Sequence, residues 1–547
     1  MKWRILPKKS DSLTEQLLIN RGIKSEKEIK QFFNPRISDF EKDLQIPGTS
    51  KAHKRILEAI KKEELIAVYG DYDVDGICAS AILYKGLTSI GAKVLPYIPH
   101  RDKEGYGLSV TGLDSIKLSG AKLVITVDNG IVAVEQAKYA KSLGLDLIIT
   151  DHHIPGDQEP DAYAIVHSTK MCGASVAWCL TRDLIKEDLS EELLQFAAIA
   201  TVCDLLPLVG LGRGFVTEGL KVLRSTTNPG ILALLNEAGV SVGNISSFEI
   251  GFILGPRLNA MGRMEHAIDS LRLLCTKDPV KARSLAKLLC NTNASRQKLT
   301  TEALEEAKEM VKKDSKIHIL YSKNWSAGII GLVAGRVCEE YSLPAIAISV
   351  GEEISKGSAR SVDGINIVEV IRKHADILID VGGHKGAAGF SILSKHLETF
   401  KKRLEQIVLT VPEEKVLEID AEVYSSQLNK TLIKELEKFE PFGLDNRRPV
   451  FVSFNMKVSD IRTVGNGKHL KFKISSCHSE HICFAQCKLR EESNYIDAIA
   501  FGMGEWEKLL KTGQMIDLAF NIELDTYGGF EKVQLKVKDL RVGQFGV

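Results

Sequence analysis

The sequence of 547 residues predicts an α/β protein with two lobes joined by a long helix and followed by a small β-barrel. Three observations support this prediction. Short apolar segments alternate with helical ones over residues 65–150 and again over 317–381, which is typical of sheets covered by helices. A long charged stretch over about 284–313 is interpreted as the connecting helix. After Pro412, apolar and polar residues alternate with a period of two, which indicates antiparallel strands.

The first alternating segment predicts a doubly wound parallel sheet. Its strands are expected at four short apolar runs, 65–69, 94–98, 123–127 and 147–150. Helices are expected at the amphipathic or helical stretches 52–62, 77–89 and 132–143. Continuous apolar runs occur when both faces of a strand are buried, as they are in a parallel sheet.

The second alternating segment predicts another α/β domain. It contains three expected strands and one expected helix, in the order 317–321, 329–340, 345–350 and 377–381. In the C-terminal region, the runs 470–474 and 533–537 alternate between apolar and polar residues. Short alternating runs separated by turns predict a small antiparallel barrel.

Composition narrows the class of protein. The 72 basic and 71 acidic residues leave a formal charge of +1, which argues against a protein that coats nucleic acid non-specifically but allows a local basic groove. We expect no signal peptide and no membrane span, because no long apolar stretch occurs. Ten cysteines are scattered without a disulfide-like framework, so reduced thiols in the cytoplasm are expected.

Acidic residues and histidines follow three of the predicted strands. They are Asp71, Asp73 and Asp75 after the first strand, Asp128 after the third, and Asp151, His152 and His153 after the fourth. A single aspartate there is more often a turn former or a helix cap. Ligands, however, bind beyond the carboxyl ends of parallel strands, and a mixed set of oxygen and imidazole ligands suits Mn²⁺ or Mg²⁺. The residues alone therefore predict a metal-dependent phosphoester hydrolase.

At these residues the sequence resembles the DHH phosphoesterase family. The resemblance is carried by 70–76, 127–130 and 151–153, with 201–204 similar to a fourth motif. It implies five metal ligands for two ions, Mn²⁺ or Mg²⁺: Asp73, Asp75, Asp128, His152 and Asp204. It further implies that His153 contacts the scissile phosphate or assists the leaving group, and that Asp71 and Asp151 have supporting roles.

A glycine-rich segment, 382–389, resembles the motif of the DHHA1 domain that accompanies this family. Small residues let the backbone approach a nucleotide closely, and His384 could donate to phosphate or base. A glycine-rich turn alone more often reflects packing. The resemblance implies a nucleotide contact at His384.

Further segments resemble the RecJ family, single-strand-specific 5′→3′ DNA exonucleases. They are 97–101, 104–107, 255–260, 262–263 and 357–360, within a likeness that runs from about Arg21 through the barrel. This resemblance implies that Arg101, Ser358 and Arg360 hold the 5′ phosphate and that Arg257 contacts the strand near the metals. Arginine suits these roles because its planar fork can bind phosphate oxygens bidentately.

The C-terminal region resembles the OB fold of the same family at 440–443, Asn446, 465–472 and 534–539. OB folds hold single strands with basic grooves and stacking aromatics. The candidate contacts are His469, Lys471, Lys473, Lys536, Lys538, Tyr527 and Phe530. The alternative is a solvated strand face with a hairpin aromatic packed on the core, and the sequence does not decide between them.

The resemblance implies five regions: an N-terminal extension (1–50) that packs on the next domain, a DHH catalytic domain (51–225), a helical connector (226–313), a DHHA1 domain (314–411) and an OB-fold domain (412–547). It implies an exonuclease that releases 5′ mononucleotides by a two-metal mechanism in DNA repair and recombination. Single-stranded DNA is the implied substrate. A single-strand-binding protein and a helicase are candidate partners, and a monomer is expected.

Two other functions stay open: a DHH phosphodiesterase of short oligonucleotides or cyclic dinucleotides, and a non-catalytic nucleic-acid scaffold. The first would not need a strand-binding barrel, and the second would be expected to lose metal ligands. The sequence also departs from the family pattern at Ser326, His167 and Asp445, where histidine, asparagine and glycine are usual. A separate cluster could be a small zinc site or a loop with reduced thiols: Cys477, His478, His481, Cys483 and Cys487.

Overall fold

The computed structural model describes residues 1–105, 107–312, 314–407, 415–476, 495–525 and 531–542. The chain divides into two compact units: Met1–Pro35 with Glu414–Val547, and Arg36–Glu413. Some residues that the sequence singled out lie outside the described ranges, namely Tyr106, Tyr527, Phe530, Cys477, His478, His481, Cys483 and Cys487. No helix within the described ranges is long and apolar enough to cross a membrane.

The larger unit starts with a lobe built around a parallel sheet. The residues that precede this lobe in the sequence belong to the smaller unit and form β1 (Lys2–Ile5), α1 (Leu13–Asn20) and α2 (Glu26–Phe33). The strands of the lobe are β2 (Leu65–Tyr69), β3 (Lys93–Tyr97), β4 (Leu123–Val127), β5 (Asp146–Asp151) and β6 (Ala164–His167). Its helices are α3 (Glu41–Leu44), α4 (Thr49–Lys61), α5 (Val74–Ser89), α6 (Arg101–Glu104), α7 (Val110–Leu118), α8 (Val134–Ser142), α9 (Gly173–Arg182), α10 (Glu187–Cys203), α11 (Gly210–Arg224), α12 (Pro229–Glu237), α13 (Ser247–Glu249), α14 (Gly255–Met264) and α15 (Ile268–Cys275).

The strand order of this first sheet places the candidate site. The strands pair in the order β3-β2-β4-β5-β6, and all of them run parallel. The strand order reverses beside β2, which is where open α/β sheets bind their ligands. The four predicted strands are confirmed; the apolar runs of β2, β4 and β5 are buried, whereas the edge strand β3 is only half-buried.

The second lobe has a mixed sheet. It follows α16 (Pro279–Glu309) and contains β7 (His318–Ser322), α17 (Ile330–Tyr341), β8 (Ala345–Ser349), β9 (Ile354–Arg360), α18 (Ile367–Arg372), β10 (Leu378–His384), β11 (Ala387–Leu393) and α19 (Leu397–Glu405). The strands pair in the order β10-β11-β9-β8-β7, and only the pair β7–β8 is parallel among the described residues. The glycine-rich segment 382–389 forms the end of a β-hairpin, with its turn at residues 385–386. Glycines in this segment interrupt the alternation of apolar and polar residues that would predict strands. Ala388 and Phe390 nevertheless pack into the hydrophobic core.

The long helix α16 joins the two lobes through packing. Ala282, Ala286 and Leu289, in its first half, belong to the core of the first lobe. Ala303 and Ala307, in its second half, pack in a core of the second lobe. The predicted role as a connector is therefore confirmed.

The smaller unit contains the predicted OB domain. Its remaining elements are β12 (Val416–Ile419), β13 (Ala421–Glu422), α20 (Lys430–Glu437), β14 (Phe451–Val464), β15 (His469–Ser476), β16 (Ile496–Ala500), β17 (Met515–Asp525) and β18 (Lys532–Val542). The strands pair in the order β13-β14-β15-β16-β18-β17, and β17 pairs again with β14. The pairing that leads from β14 to β17 thus returns to β14, as it does in a barrel.

The N-terminal residues do not all pack where the sequence analysis expected. Ile37 and Leu44 belong to the core of the first lobe. Leu17 and Phe32, however, share a hydrophobic core with the OB domain, and β1 pairs with β12. The expectation that the whole N-terminal extension packs on the next domain is wrong, because apolar side chains pair by complementary surface and not by order in the chain.

Candidate active site

The loop after β2 gathers three carboxylates at the start of α5. Asp73 caps this helix, and its Oδ1 accepts a hydrogen bond from the backbone N–H of Gly76 at 3.1 Å. A Cβ atom at Gly76 would lie 2.7 Å from the Cβ of Asp71. Only glycine allows this loop to fold so tightly, and the loop holds Asp71, Asp73 and Asp75 next to one another.

The N-terminus of α9 fixes the side chain of Asp75. Its two carboxylate oxygens accept hydrogen bonds from the backbone N–H groups of Gly173 at 2.6 Å and Ala174 at 2.7 Å. The helix dipole favours a negative charge at this position. A Cβ at Gly173 would lie 2.6 Å from the Cβ of Asp128, so glycine also allows α9 to approach the end of β4.

Asp128 and His152 bring the ends of β4 and β5 together. Asp128 adopts a left-handed backbone conformation (φ 63°), which is unusual for an aspartate and marks a constrained position. His152 Nε2 lies 3.1 Å from Asp128 Oδ1 and 3.5 Å from Asp75 Oδ2. It is also 3.6 Å from Oδ2 of Asp204, which caps the C-terminus of α10. These residues come from four separate segments of the chain.

The cluster offers two neighbouring positions for cations. Possible ligand atoms of Asp75, His152 and Asp204 lie within 4.8 Å of one another, and so do those of Asp71, Asp73 and Asp128. A third combination joins Asp128 and His152 to His153. Oxygen and imidazole donors of this kind fit Mn²⁺ or Mg²⁺.

The environment of Asp71 gives independent support for a bound cation at this cluster. Its side chain is buried, and its Oδ1 accepts no hydrogen bond from any described residue. A buried carboxylate oxygen without a donor costs free energy that a bound cation would recover. The sequence analysis gave Asp71 a supporting role, whereas the geometry groups it with the expected ligands Asp73 and Asp128.

Burial and mutual repulsion set the charge states of the cluster. Burial, together with the charge of Asp73, raises the pKa of Asp75 to about 7. Burial and the charge of Asp75 raise the pKa of Asp204 to about 8 and hold that of Asp128 well above its usual range. Burial lowers the pKa of His152 to about 4, so its imidazole is neutral and can serve as a ligand at pH 7. Cations would relieve this repulsion.

His153 is oriented by Asp151. The Nδ1 atom of His153 lies 2.7 Å from Asp151 Oδ1, which also accepts the backbone N–H of His152 at 2.7 Å. Burial disfavours the charged imidazole, but the hydrogen bond and charge of Asp151 outweigh burial and raise the pKa of His153. His153 can therefore carry a proton beside the carboxylates, and Asp151 has the supporting place that the sequence predicted.

Four arginines gather next to the metal loop. The guanidinium of Arg101 stacks over the ring of Tyr72, 5.1 Å from its centroid. Burial and the charges of Arg101, Arg296 and Arg360 lower the pKa of Arg263 to about 10. The Nη1 of Arg360 donates to Ser358 Oγ at 3.2 Å. The cluster brings together the expected residues Arg101, Ser358 and Arg360, and its positive charge would attract a phosphate.

His384 lies in the same row of the second sheet as Arg360. It is paired with Ala387, which is paired with Arg360, so the three side chains share one face. Two strand spacings separate His384 from Arg360 by roughly 10 Å. In the neighbouring row of the same face, formed by Gly382, Gly389 and Ser358, a Cβ added at either glycine would meet no atom within 4 Å. The two glycines thus leave open space beside the row that contains His384 and Arg360.

Arg257 lies on α14, the helix that contacts the metal loop. Its Nη1 donates to the backbone carbonyl of Ile253 at 2.8 Å. The helix reaches the metal loop two residues further along, where Asn259 Oδ1 accepts the N–H of Val74 at 3.1 Å. Arg257 therefore lies on the helix that contacts the metal loop, and its contact with a strand stays a prediction.

The basic residues of the OB domain are partly paired with acids. Lys473 Nζ lies 3.4 Å from Asp460, and Lys536 Nζ lies 2.7 Å from Glu523. The ring of His469 contacts Phe501 edge-on at 5.1 Å. These contacts are compatible with either predicted role of this strand face, so strand binding by Lys471 and Lys538 stays a prediction as well. The aromatics Tyr527 and Phe530 lie outside the described residues.

The three departures from the family pattern have local structural roles. Ser326 Oγ accepts the N–H of Gly328 at 3.2 Å just before α17. The Nε2 of His167 donates to the carbonyl of His153 at 2.7 Å and so supports the expected catalytic histidine. Asp445 has a φ of 58°, a left-handed conformation that explains why glycine is usual there.

Sequence reasoning missed two contributors to this site. Arg263 and Asn259 were part of recognised motifs but received no role, and only the structure brings Arg263 to the other arginines and Asn259 to the metal loop. A signal was present, because polar residues on an otherwise apolar helix next to a functional loop are candidates for contacts. The helix that holds Asp75 could not have been found from spacing alone.

Comparisons with known proteins agree with this architecture. Residues 65–201 match the model of the DHH family, N-terminal domain, residues 314–410 match the DHHA1 domain, and residues 419–539 match the RecJ OB domain. The domain boundaries at 50, 225, 313 and 411 stay predictions.

The chain is 35% identical to the single-stranded-DNA-specific exonuclease RecJ of Bacillus subtilis (strain 168), over 100% of this chain and 71% of that protein. The crystal structure of RecJ with Mn²⁺ from Thermus thermophilus covers 99% of this chain and 80% of that one, with a TM-score of 0.83 and 27% identity. The Mg²⁺ complex from the same organism gives a TM-score of 0.78, 26% identity and coverage of 99% and 79%. The chain therefore belongs to the RecJ family of single-stranded-DNA-specific exonucleases.

Proposed function

We propose that this protein degrades single-stranded DNA from its 5′ end and releases 5′ mononucleotides, with two Mn²⁺ or Mg²⁺ ions. The observation that carries the proposal is a cluster of buried carboxylates and a neutral imidazole next to a cluster of arginines. The carboxylates and the imidazole suit cations that bind a phosphodiester, and the arginines suit the phosphate at the end of a strand. The curated relative from B. subtilis is named a single-stranded-DNA-specific exonuclease.

The ligands divide between two ions. Asp75, His152 and Asp204 would hold one, and Asp71, Asp73 and Asp128 would hold the other. When bound, such ions activate water and neutralise charge on the leaving oxygen. RecJ structures from Thermus thermophilus hold Mn²⁺ or Mg²⁺, which supports the choice of metal.

His153 would contact the scissile phosphate. Asp151 holds its Nδ1 and raises its pKa, so the imidazolium can donate a hydrogen bond to a phosphate oxygen or a proton to the leaving oxygen. This arrangement separates the two histidines by function: burial favours the neutral form of His152 for metal ligation, and Asp151 favours the protonated form of His153 for the substrate.

The arginine cluster would select the 5′ phosphate. Arg101 and Arg360, with Ser358, would bind its oxygens, and Arg263 lies among them. A terminal phosphate carries more negative charge than an internal phosphodiester, so a cluster of positive charges favours it. Arg257 would contact the strand near the metals, and His384 would donate to a phosphate or a base.

The same proposal extends to the substrate, the partners, the oligomeric state and the compartment of this protein. Single-stranded DNA is the substrate that the OB domain supports. A single-strand-binding protein and a helicase are proposed as partners, in DNA repair and recombination, and the protein is proposed to be a monomer. The cytoplasm is the proposed compartment, because none of the seven cysteines in the described part of the chain forms a disulfide.

One substrate panel tests the proposal. The protein with Mn²⁺ is offered 5′-labelled single-stranded DNA, duplex DNA, short RNA and a cyclic dinucleotide. We expect the label on single-stranded DNA to be released as a mononucleotide and the duplex to be resistant. Cleavage of the dinucleotide with intact single-stranded DNA would point to the phosphodiesterase alternative. Binding of DNA without cleavage of any substrate would point to a scaffold.

A further inference from the structure

Two phenylalanines expose their rings on the segment that borders the candidate active site. Phe248 is 57% exposed and Phe252 is 71% exposed, although large aromatic side chains are usually well buried. The two rings stack on each other, with centroids 4.8 Å apart and planes inclined by 24°. They form a flat apolar surface that can stack with another flat ring.

This segment is attached to the metal cluster at two points. Phe252 lies in a turn of π-helix, Ile250–Leu254, that continues into α14. A Cβ added at Gly255 would lie 2.5 Å from Cys203 Sγ, so the segment packs tightly against the residue that precedes Asp204. Further along, Asn259 accepts the N–H of Val74. The rings are therefore held at a fixed distance from the carboxylates, and π-helical turns frequently occur at functional sites.

The same helical run gives the site a direction. It carries the two rings at its start, the contact of Asn259 with the metal loop in its middle, and Arg263 of the arginine cluster at its end. Phe252 and Arg263 are eleven residues apart, which corresponds to roughly 16 Å along a helix. With the 5′ phosphate at the arginines, the scissile bond lies at the carboxylates and the strand continues toward the rings.

We propose that Phe248 and Phe252 form a stacking platform for bases from the third nucleotide onward, beyond the first base on the 3′ side of the scissile bond. The inference rests on the proposed function, because that function orients the strand. A nucleic-acid base fits the platform better than a protein does, because the platform is continuous with a site for phosphates and lies on the helix of Arg257. Stacking tolerates any base, which suits an exonuclease that must process every sequence.

Binding can be tested without turnover. In an Asp128→Ala background with Mn²⁺, oligonucleotides of ten nucleotides carry a 5′ phosphate and 2-aminopurine at the third, fourth or fifth position. We expect stacking to quench the fluorescence of at least one position. Quenching should be lost in Phe248→Ala/Phe252→Ala and retained in Phe252→Trp. Equal quenching with and without the two rings would overturn the proposal.

Kinetics give a second measurement in the otherwise unchanged protein. For a ten-nucleotide strand we expect the double variant to raise KM by about tenfold to a hundredfold, with a smaller change in kcat. A 5′-phosphorylated dinucleotide is too short to reach the rings, so its hydrolysis should not change. Unchanged KM for the longer strand would assign the exposed rings to another ligand, such as a partner protein, and would contradict the platform.

A matched control is Leu118→Ala. Leu118 is 89% exposed and ends α7, at the amino edge of the first sheet and away from the carboxylates. It should leave quenching and KM unchanged. If the unmodified protein fails to cleave single strands, the proposed function fails, whereas the loss of quenching in the ring variants still tests the platform separately.

Discussion

The two sheets of the larger unit build their parts of the site in opposite ways. In the first sheet, parallel strands end at one edge, and the loops beyond them bury carboxylates against one another. In the second sheet, the expected residues Ser358, Arg360 and His384 lie on the strands, beside the open glycines Gly382 and Gly389. The first arrangement concentrates negative charge for cations, and the second leaves room beside positive charge for phosphate and nucleotide.

This difference shows which part of a sheet can hold a cation and which part can hold a strand of nucleic acid. A cation needs several ligand atoms at one point, and the carboxyl ends of parallel strands provide such a point. A strand of nucleic acid needs an extended surface, and a row across paired strands provides one. Substitutions in each sheet can test whether the first sheet holds the cations and the second holds the strand, and the largest effect is expected in the first sheet.

Removing one shared carboxylate should separate catalysis from binding. Asp128→Ala is expected to lower kcat by on the order of a thousandfold or more, because Asp128 takes part in two of the three candidate ligand groups. Single-stranded DNA should still bind, since the arginines and the second sheet are unchanged. Fluorescence anisotropy and a single-turnover assay measure the two effects. Substantial residual activity would contradict the metal assignment.

Metal binding should strengthen as pH rises. Asp75 and Asp204, with pKa values of about 7 and about 8, must lose protons to bind cations. Each released proton makes affinity rise by roughly tenfold per pH unit below its pKa. Calorimetric titration with Mn²⁺ between pH 6 and pH 8.5, in two buffers of different ionisation enthalpy, measures affinity and proton release. Affinity that does not change with pH would contradict these charge states.

Removing a positive charge from the second sheet should change substrate choice and leave metal binding alone. Arg360→Ala is expected to slow cleavage of 5′-phosphorylated strands by about tenfold to a hundredfold. Strands with a 5′ hydroxyl should be affected much less, and Mn²⁺ affinity should be unchanged. Equal rates on both ends in the unmodified enzyme would remove the basis of this prediction.

The smallest expected effect concerns the response of the second sheet to acid. Burial lowers the pKa of His318, whose ring packs edge-on against Tyr341. A histidine with a lowered pKa stabilises the fold fully above its unfolded pKa of about 6.5, and this contribution is lost as pH falls through that value toward the folded pKa. The raised pKa values of the carboxylates act with the opposite sign: metal-free protein loses their contribution as pH rises from about 4 toward 8.

The His318→Phe variant should therefore lose less stability than the unmodified protein as the pH falls from 6.5 to 5. We expect a change of the order of 2 °C in the unfolding midpoint, measured by calorimetry with Mn²⁺ present. His396→Phe, a half-buried histidine in the same lobe, is the matched control. An identical pH dependence in the His318 variant would show that this ring does not contribute.

The sequence predicted the first sheet and the clustering of its acidic residues better than the second sheet. Asp73, Asp75, Asp128 and His152 follow continuous apolar strands, and the parallel topology places such residues together without further information. The strands β9 and β11 were not predicted, because glycine and polar residues interrupt their alternation. The exposure of Phe248 and Phe252 was also not predictable, since a spacing of four residues fits a buried helix face equally well.

The sequence by itself determined the α/β class, the OB domain, the family resemblance and most members of the carboxylate cluster. The tertiary structure decided that Asp71 faces Asp73 and Asp128, that α9 holds Asp75 and that Arg263 joins the other arginines. It also decided that the first helices pack with the last strands. The physical reason is that local patterns record burial and backbone preference, whereas charge clusters form between segments that only packing brings together.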